Sequence, residues 1–239
     1  MKKKLTIVIP AFNEAQYIPN LIKKISEVNL SKYNISKEVV LVDDGSTDGT
    51  KKIIKKFKTI KYIKQSNQGK GRAVQKGIKK ASGSIVLVQD ADLEYDPRDY
   101  SKLIKPFLTN KKIAVYGSRY LKKNIFSYKF KKKNKQSYLA FLFNFFLSFY
   151  FYILFGQYFS DLLTGYKVYE KDFFNKINIK TAGFETDHEI TVNLIKKGYN
   201  IIEVPVKYNS RTKKEGKKIN IFDAYKALAL ITKMRFTIW

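Results

Sequence analysis

Apolar residues in the first 120 positions alternate between short unbroken runs and helical spacing. Runs such as Leu5–Pro10 predict buried strands, and repeats at three- or four-residue intervals, as at Ile18, Leu21, Ile22 and Ile25, predict amphipathic helices. This alternation favours an α/β fold with a mainly parallel sheet and helices on both faces. The expected strands are Leu5–Pro10, Glu38–Val42, Ile60–Ile63, Ser84–Gln89 and Ile113–Tyr116, and the expected helices lie near Ile18–Val28, Ile53–Phe57, Ala73–Ala81 and Pro97–Leu108.

The pattern changes after residue 120. Residues 122–135 contain seven lysines and no acid, and residues 136–160 contain no charge and are rich in Phe, Tyr and Leu. Ser137, Asn144 and Ser148 share one helical stripe, so one face is more polar than the rest. We expect a helix in a membrane interface, with the lysines against anionic headgroups. A buried core helix and a spanning or re-entrant helix remain open, and a further apolar helix is expected at Phe222–Met234.

Composition narrows the class of protein. The 239 residues, 44% of them hydrophobic, are sufficient for one large folded domain. With 47 Lys and Arg against 20 Asp and Glu, the net charge is +27, which indicates a negatively charged partner such as nucleic acid, anionic lipid or a phosphorylated substrate. The absence of cysteine excludes disulfides and thiolate metal sites and fits a reducing compartment.

Candidate chemistry lies where predicted strands end. Asp90 and Asp92 follow the run Ser84–Gln89, and paired carboxylates at the carboxyl end of a parallel strand suit a hard divalent cation. Residues 8–14 and 42–50 close two other strands with further carboxylates. Residues 67–73 open a helix with two glycines, where backbone N–H groups can approach a phosphate.

These segments together resemble glycosyltransferase family 2. The resemblance rests on order and spacing: Pro10-x-x-Asn13-Glu14, Asp43-Asp44-Gly45-Ser46-x-Asp48-Gly49-Thr50, Gly69-Lys70-Gly71-x-Ala73 and Asp90-x-Asp92. The second half, with Gly117–Tyr120, Asp161–Lys167, Glu203–Val206 and Arg211–Ile219, is similar to the branch of dolichyl-phosphate mannose synthases and bacterial polyprenyl-phosphate glycosyltransferases. The resemblance implies a GT-A-type nucleotide-sugar-binding fold in a single domain over 1–239. Residues 1–120 would bind the nucleotide sugar, 121–160 would form the interfacial segment, and 161–239 would complete the acceptor and phosphate site.

The resemblance also implies roles on the donor side. Asp90 and Asp92 would bind Mg²⁺ or Mn²⁺ on the donor pyrophosphate, with Glu94 as a possible third ligand. The nucleotide pocket would consist of Pro10, Phe12, Glu14, Asp43, Asp44, Gly69, Lys70 and Gly71, although Pro10 and Asp44 also suit a strand end and a turn. Asp48 is expected to cap a helix. Arg211 and Lys217 would lie in a basic loop over the donor phosphates.

On the acceptor side, the resemblance assigns Arg119, Lys133 and Ser137 to an acceptor phosphate. Lys133 stands where the family has an arginine, so a point charge replaces a bidentate fork there. Asp161 and Glu189 are acids in matching motifs, and each would act either as a general base or as a partner that orients Arg119 or Arg211. An ionised phosphate acceptor needs no base. The single histidine, His188, is expected to be non-catalytic.

The expected activity is metal-dependent, inverting transfer of a sugar from a UDP- or GDP-sugar to a polyprenyl phosphate. The enzyme would be peripheral, at the cytoplasmic face of the membrane and against its anionic surface. An alternative keeps the fold but transfers the sugar to a saccharide or glycolipid hydroxyl, which requires a base. A remote alternative, a basic nucleic-acid-binding protein, does not need paired carboxylates beside a glycine-lysine-glycine loop. The sequence predicts no particular sugar or oligomeric state.

Overall fold

The computed structural model describes residues 3–121, 135–211 and 221–237, with the side chains of all of these except 135–139 and 221–224. The first half alternates strands and helices, as the apolar pattern predicts. Its elements are β1 (Lys3–Ala11), α1 (Ile18–Glu27), β2 (Ile35–Asp43), α2 (Thr50–Ile54), β3 (Lys61–Lys64), α3 (Lys70–Lys80), β4 (Ile85–Val88), α4 (Tyr100–Ile104), α5 (Pro106–Thr109) and β5 (Ile113–Ser118). The helix expected near Pro97–Leu108 is divided in two at Pro106, which has no N–H to continue a helix.

The second half adds helices and two strands to the same sheet. Its elements are α6 (Lys135–Phe155), β6 (Lys167–Glu170), α7 (Thr186–Lys196), β7 (Asn200–Pro205) and α8 (Ile221–Phe236), with a short 3₁₀ helix at Lys171–Lys176. The apolar helix expected at Phe222–Met234 is therefore confirmed as α8.

One seven-stranded sheet runs through the described part of the chain in the order β3-β2-β1-β4-β6-β5-β7. All neighbouring strands are parallel except β6, which is antiparallel to both β4 and β5. The prediction of a mainly parallel sheet is thus confirmed. Because β6 and β7 come from the second half, both halves of the chain build one sheet.

Apolar side chains cover both faces of this sheet. Along β1, Leu5, Ile7 and Ile9 pack on one face in a cluster with α1 and α4, whereas Val8 packs on the other face. That second cluster also contains side chains of α3, α6, α7 and α8. The period-two alternation of β1 therefore supplies both cores, as expected of a strand buried on both sides.

Helix α6 packs the described part of its polar stripe against the protein. Asn144 and Ser148, from the polar stripe, are buried against the protein together with Leu147 and Phe151. The amide of Asn144 donates to the carbonyl of Ser160 at 3.0 Å and accepts from the N–H of Leu163 at 3.1 Å. Asn144 thus satisfies two backbone groups instead of facing water, whereas the buried hydroxyl of Ser148 has no hydrogen-bond partner among the described residues.

The opposite side of α6 exposes an aromatic stripe. Its side chains are between 41 and 64% exposed: Leu142, Phe145, Phe146, Phe149, Tyr152 and Ile153. The inner face is therefore that of a buried helix, and the apolar outer face agrees with the expected interfacial helix, which stays a prediction. None of the helices in the described ranges is both long and apolar enough to cross a membrane.

Candidate active site

The loops that follow β1, β2 and β4 meet at one edge of the sheet. These three strands are parallel neighbours, so their carboxyl ends lie side by side, and Ala11 pairs with Asp43 at the ends of β1 and β2. Residues 11–14, 43–50 and 90–94 emerge there. The structure therefore brings the predicted donor-side segments together at the edge where open α/β sheets bind ligands.

An arginine holds three of the carboxylates at this edge. The guanidinium of Arg211 lies 2.9 Å from Asp92 through Nη2 and 3.3 Å from Glu14 through Nη1. Its backbone N–H donates to Glu94 at 2.7 Å. The charges of these acids, Asp92 foremost, raise the pKa of Arg211 against the opposing effect of burial. The predicted basic loop thus reaches the acids through Arg211.

Asp90 has a separate cation. Lys70 Nζ, at the start of α3, lies 2.7 Å from Asp90 Oδ1, and both side chains are largely buried. Burial alone would lower the pKa of Lys70, but the charges of Asp90 and Asp187 raise it above its usual value. On the other side of Asp90, a Cβ added at Gly165 would lie 2.5 Å from Oδ2, so only glycine fits there.

The carboxyl group of Asp92 is buried beside two other acids. Burial raises its pKa to about 7, with further contributions from the charges of Asp90 and Glu94 that the charge of Arg211 opposes. Such a carboxyl group is ready to exchange its proton for a cation near neutral pH. Its own oxygen Oδ1 accepts from the N–H of Glu94 at 3.1 Å.

The acids fit a hard divalent cation by their chemistry. Asp90, Asp92 and Glu94 offer carboxylate oxygens, which Mg²⁺ and Mn²⁺ prefer as ligands. Among the described residues, no group of three or more Asp, Glu or His side chains is placed to hold a metal ion. Asp90 and Asp92 are the two carboxylates expected to hold one, and phosphate oxygens of a bound donor are suited to further ligand positions.

The predicted nucleotide carboxylates also organise their own loop. Asp43 accepts from the N–H of Ser46 and from the hydroxyl of Tyr62, both at 2.8 Å. Asp44 accepts from the side chain of Gln65 and from two backbone N–H groups, of Gln68 and Gly69, at 2.7 to 2.9 Å. The two aspartates thus shape the turn at the pocket rim. Asp48 accepts from the N–H and hydroxyl of Thr50, the first residue of α2, but the N-cap position itself is Gly49, so Asp48 supports the start of the helix from the preceding residue.

The glycine-lysine-glycine loop packs against the segment before α7. Gly69 has a φ of +95°, and a Cβ at Gly71 would lie 2.0 Å from the hydroxyl of Thr186. The N–H of Arg72 donates to the carbonyl of Ala182 at 3.1 Å. The glycines therefore permit a close contact between two loops, and this contact aims Lys70 at Asp90.

The predicted acceptor arginine forms a bidentate pair. Arg119 Nε and Nη2 donate to the two oxygens of Asp161, each at 2.7 Å, and its backbone N–H adds a third bond at 2.9 Å. Asp161 is fully buried, and its charge keeps the pKa of Arg119 well above the usual value despite burial. Nη1 of Arg119 has no hydrogen-bond partner within the described residues, so it can bind an anion.

Comparison with known proteins identifies the family. Residues 6–177 match the family described as Glycosyl transferase family 2. The chain belongs to this family.

Relatives of this family 2 enzyme agree with the assignment. It is 30% identical over 227 residues to UDP-N-acetylglucosamine–dolichyl-phosphate N-acetylglucosaminyltransferase of Methanococcus voltae, covering 86% of this chain and 85% of that protein. Glucosyl-3-phosphoglycerate synthase of Mycobacterium tuberculosis, solved with Mn²⁺, UDP and phosphoglyceric acid, has a TM-score of 0.71 at 17% identity, over 99% of this chain and 80% of that one. Mannosyl-3-phosphoglycerate synthase of Rubrobacter xylanophilus has a TM-score of 0.72 at 17% identity, over 97% of this chain and 73% of that one. The GT-A fold and glycosyltransferase activity are thus established.

In this family 2 enzyme, both acids predicted as possible bases, Asp161 and Glu189, are buried and bonded to other groups of the protein. Asp161 orients Arg119, the second of its two predicted roles. Glu189 is buried and accepts from the N–H groups of Lys180 and Thr181 and from the hydroxyl of Thr181, at 2.6 to 2.9 Å. The role of Glu189 as a partner of Arg119 or Arg211 does not agree with this placement, because its oxygens anchor a loop and contact no arginine among the described residues. Its role as a general base stays a prediction.

The remaining predicted residues lie at the margin of the site or outside it. Pro10 is in β1, where it pairs with Val42, Phe12 is half-buried beside the acids, and His188 is buried in α7. Lys133 and Lys217 lie outside the described residues, as does the side chain of Ser137.

Sequence reasoning missed two residues of this glycosyltransferase. Asp187 is half-buried in the first turn of α7, where its charge acts on Lys70, and its carboxylate accepts no hydrogen bond from a described residue. Its position in the acidic run 185–189 was the available signal. Tyr208 donates to Glu94 at 2.5 Å and stacks on Arg119, but a single tyrosine near a strand end gives no signal of this in the sequence.

Proposed function

We propose that this glycosyltransferase transfers a sugar, with inversion, from a UDP- or GDP-sugar to a polyprenyl phosphate at the cytoplasmic membrane face. The observation that carries the proposal is the pair of Arg119 and Asp161 next to the donor-side carboxylates. The Nη1 of this largely buried arginine has no hydrogen-bond partner within the described residues. Tyr208 contacts both this guanidinium and Glu94, so the pair lies near the donor-side acids. The activity named for the Methanococcus voltae relative, on UDP-N-acetylglucosamine and dolichyl phosphate, supports the same donor and acceptor classes.

On the donor side, Asp90 and Asp92 would hold Mg²⁺ or Mn²⁺, with Glu94 beside them. When bound, the cation supplies positive charge to the leaving nucleoside diphosphate. Lys70 and Arg211 add two further positive charges at the same place. Asp43 and Asp44 keep the loop shaped for the nucleotide, and the aromatic ring of Phe12 and the side chain of Glu14 lie in the adjoining loop after β1.

On the acceptor side, Nη1 of Arg119 would bind a phosphate oxygen while Asp161 holds the guanidinium in place. A phosphate monoester is ionised near neutral pH, so its oxygen attacks the anomeric carbon without a general base. Catalysis then depends on in-line positioning and on stabilising the charge that moves to the leaving diphosphate. The internal bonds of Asp161 and Glu189 are consistent with a reaction that needs no base from either.

The exposed aromatic stripe of α6 supports a membrane-bound acceptor. The ring of Tyr120 lies 5.2 Å from the guanidinium of Arg119 and 5.1 Å from the ring of Phe141 in α6. This contact joins the phosphate-binding arginine to the helix whose outer face is apolar. With the lysines of 122–135 against anionic headgroups, α6 would lie in the membrane interface, and a prenyl chain would leave the site along it.

Asp187 supports a second candidate, transfer to a saccharide or glycolipid hydroxyl. Its half-buried carboxylate accepts no hydrogen bond from a described residue, so its oxygens are available to take a proton from a hydroxyl, and its charge acts on Lys70 at the donor side of the site. The nucleic-acid alternative has no comparable support from the site, and we do not propose it. The single-domain prediction for 1–239 also stays a proposal, supported by the shared sheet of the two halves.

A direct assay separates the two candidates. Purified enzyme would be incubated with labelled UDP- or GDP-sugars, Mn²⁺ or Mg²⁺, and either a polyprenyl phosphate or a saccharide acceptor. Under the proposal, label enters the polyprenyl phosphate and Asp187→Asn retains most of that activity. Transfer only to the saccharide, abolished by Asp187→Asn, would replace the proposal with the second candidate.

A further inference from the structure

Tyr208 touches both halves of the site. Its hydroxyl donates to Glu94 Oε2 at 2.5 Å, beside the donor-side carboxylates. Its ring centroid lies 5.0 Å from the guanidinium carbon of Arg119, on the acceptor side. Within the described ranges, these contacts make one rigid side chain the bridge between a candidate cation ligand and the candidate acceptor arginine.

The backbone fixes this tyrosine on both sides. Before it, the N–H of Val206 donates to the carbonyl of Ser118 at 3.0 Å, directly before Arg119. After it, the N–H of Asn209 donates to the carbonyl of Glu94 at 2.9 Å, and Tyr208 itself forms an antiparallel bridge with Tyr95. The segment that carries the tyrosine is therefore tied to the acceptor arginine at one end and to Glu94 at the other.

Further contacts hold the two groups that the tyrosine joins. The second oxygen of Glu94, Oε1, accepts from the N–H of Arg211, so the carboxylate is oriented by two donors from the same segment. The ring of Tyr208 also packs on that of Tyr95, with centroids 4.9 Å apart. Burial and the charge of Glu94 keep the pKa of Tyr208 above its usual value, so the hydroxyl remains a donor throughout the physiological range.

We propose that Tyr208 is a positioning residue that sets the distance between the acceptor arginine Arg119 and the donor-side carboxylate Glu94. This rests on the proposed function, since the two groups are given the roles argued above. In-line attack requires the acceptor oxygen and the metal-held diphosphate at a defined separation, and displacements of about 1 Å can cost about 100-fold in rate. Because Tyr208 contacts both Arg119 and Glu94, its side chain would fix the distance between them.

Two substitutions of Tyr208 separate the effect of its hydroxyl contact with Glu94 from that of its ring contact with Arg119. Tyr208→Phe removes the hydroxyl from Glu94 but keeps the ring on Arg119 and Tyr95. Tyr208→Leu removes both contacts. Tyr150→Phe is the matched control, because it removes a tyrosine hydroxyl bond of 2.6 Å to Thr232, between α6 and α8. Thermal unfolding of all three variants would show that they are folded.

Calorimetric titration would then measure two ligands separately. The donor-side probe is UDP or GDP with Mn²⁺, whichever nucleotide the wild type binds, and the acceptor-side probe is farnesyl phosphate. We expect Tyr208→Phe to weaken nucleotide–Mn²⁺ binding about 10-fold, as for loss of a group that orients a metal ligand, with farnesyl phosphate affinity within about twofold of wild type. Tyr208→Leu should show the same loss and also weaken farnesyl phosphate binding about fivefold, through the lost cation–π contact. Tyr150→Phe should match the wild type for both probes.

Other results would overturn the inference. The positioning role would be excluded if Tyr208→Phe bound nucleotide and Mn²⁺ with wild-type affinity. It would also be excluded if Tyr208→Phe and Tyr208→Leu had the same affinities for both probes. A loss in Tyr150→Phe equal to that in Tyr208→Phe would show a general effect of a missing hydroxyl. Failure of the proposed function is distinguishable: the wild type would then bind nucleotide–Mn²⁺ without binding farnesyl phosphate. That result ends the acceptor half of the inference, and the donor half is still decided by the nucleotide titration.

Discussion

At the scale of single residues, the site consists of buried acids whose charge is balanced by specific cations. Lys70 balances Asp90, Arg119 balances Asp161, and Arg211 contacts Glu14, Asp92 and Glu94. Breaking a buried pair leaves an uncompensated charge, which typically costs about 3–5 kcal/mol of stability. Substitutions that keep the charge are therefore the informative ones.

Arg119→Lys tests the acceptor arginine without leaving Asp161 unpaired. The lysine keeps a positive charge but loses the bidentate fork and the stacked ring contacts, so transfer should fall by about 10-fold or more. Binding of nucleotide with Mn²⁺, measured by calorimetry, should not change. The control is Arg98→Lys, in an exposed pair with Asp96 at 2.5 Å, which should retain wild-type transfer. Equal activity of Arg119→Lys and wild type would contradict the role of Arg119.

The raised pKa of Asp92 predicts a pH-dependent affinity for Mn²⁺. Burial and the neighbouring carboxylates raise this pKa to about 7, so below pH 7 a cation must displace a proton from Asp92. Mn²⁺ affinity measured with saturating nucleotide should fall by up to about 10-fold per pH unit as the pH falls below 7. Asp92→Asn should bind weakly at every pH and lose most of the transfer activity.

The matched control for this titration is Asp172→Asn, which removes an exposed carboxylate paired with Lys176. It should keep the wild-type pH profile. A wild-type affinity that is constant from pH 6 to pH 8 would show that cation binding displaces no proton from Asp92, which contradicts the predicted pH dependence.

At the scale of elements, the sequence predicts those parts whose patterns are local. Strand β1 and helix α1 follow directly from apolar runs and helical spacing, and the carboxyl-end rule places Asp90 and Asp92 correctly at the sheet edge. Strand β6 was not predicted, because it has four residues and begins with Lys167. That lysine is fully buried and lies 4.8 Å from the ring centroid of Tyr116, a contact between distant segments that no local pattern contains.

The orientation of α6 shows the same limit. A stripe with Asn144 and Ser148 can face water or buried backbone groups, and the helical period is identical in both cases. The choice depends on the turn at Ser160–Leu163, which offers a carbonyl and an N–H to Asn144. Likewise, Arg211 meets Glu14 across 197 positions of sequence. Contacts between distant segments therefore determine the orientation of α6 and the position of Arg211 in the site, which local sequence patterns do not predict.

The exposed stripe of α6 yields a prediction at this scale. Replacing Phe146, Phe149 and Ile153 together by Gln should weaken binding to vesicles that contain anionic lipid, because each loses apolar area that would enter the interface. All three side chains are at least half exposed, so thermal stability should change little. Sedimentation with vesicles would measure the binding.

Leu108→Gln is the control for that triple variant, since Leu108 is 40% exposed but lies on α5. It should bind vesicles like the wild type. A triple variant that also binds like the wild type would mean that the aromatic stripe does not face the membrane.

At the scale of the whole molecule, the single histidine gives stability a measurable pH dependence. Burial, together with the charge of Lys167, lowers the pKa of His188 to about 3, whereas an unfolded histidine has a pKa of about 6.5. Between these values the unfolded chain binds one more proton than the folded one. The free energy of unfolding should therefore decrease as the pH falls below about 6.5, with about 1.4 kcal/mol per pH unit from this residue.

Urea unfolding of wild type and His188→Leu would isolate this contribution. The difference between the two free energies should change with pH below about 6.5 and be constant above it, because the sequence contains no other histidine. A difference that is independent of pH from 4 to 8 would show that His188 is not buried in its neutral form.

An assay of sugar transfer to a polyprenyl phosphate is the decisive test of the proposed reaction. Purified wild-type enzyme would be mixed with labelled UDP- and GDP-sugars, Mn²⁺ and a short polyprenyl phosphate, and the label extracted into organic solvent would be measured beside Arg119→Lys and Asp92→Asn. We expect label in the lipid fraction. Its appearance should require the divalent cation and should be strongly reduced in Arg119→Lys and Asp92→Asn. Label that stays out of the lipid phosphate, or that enters it equally in chelator or in both variants, would contradict the proposed reaction.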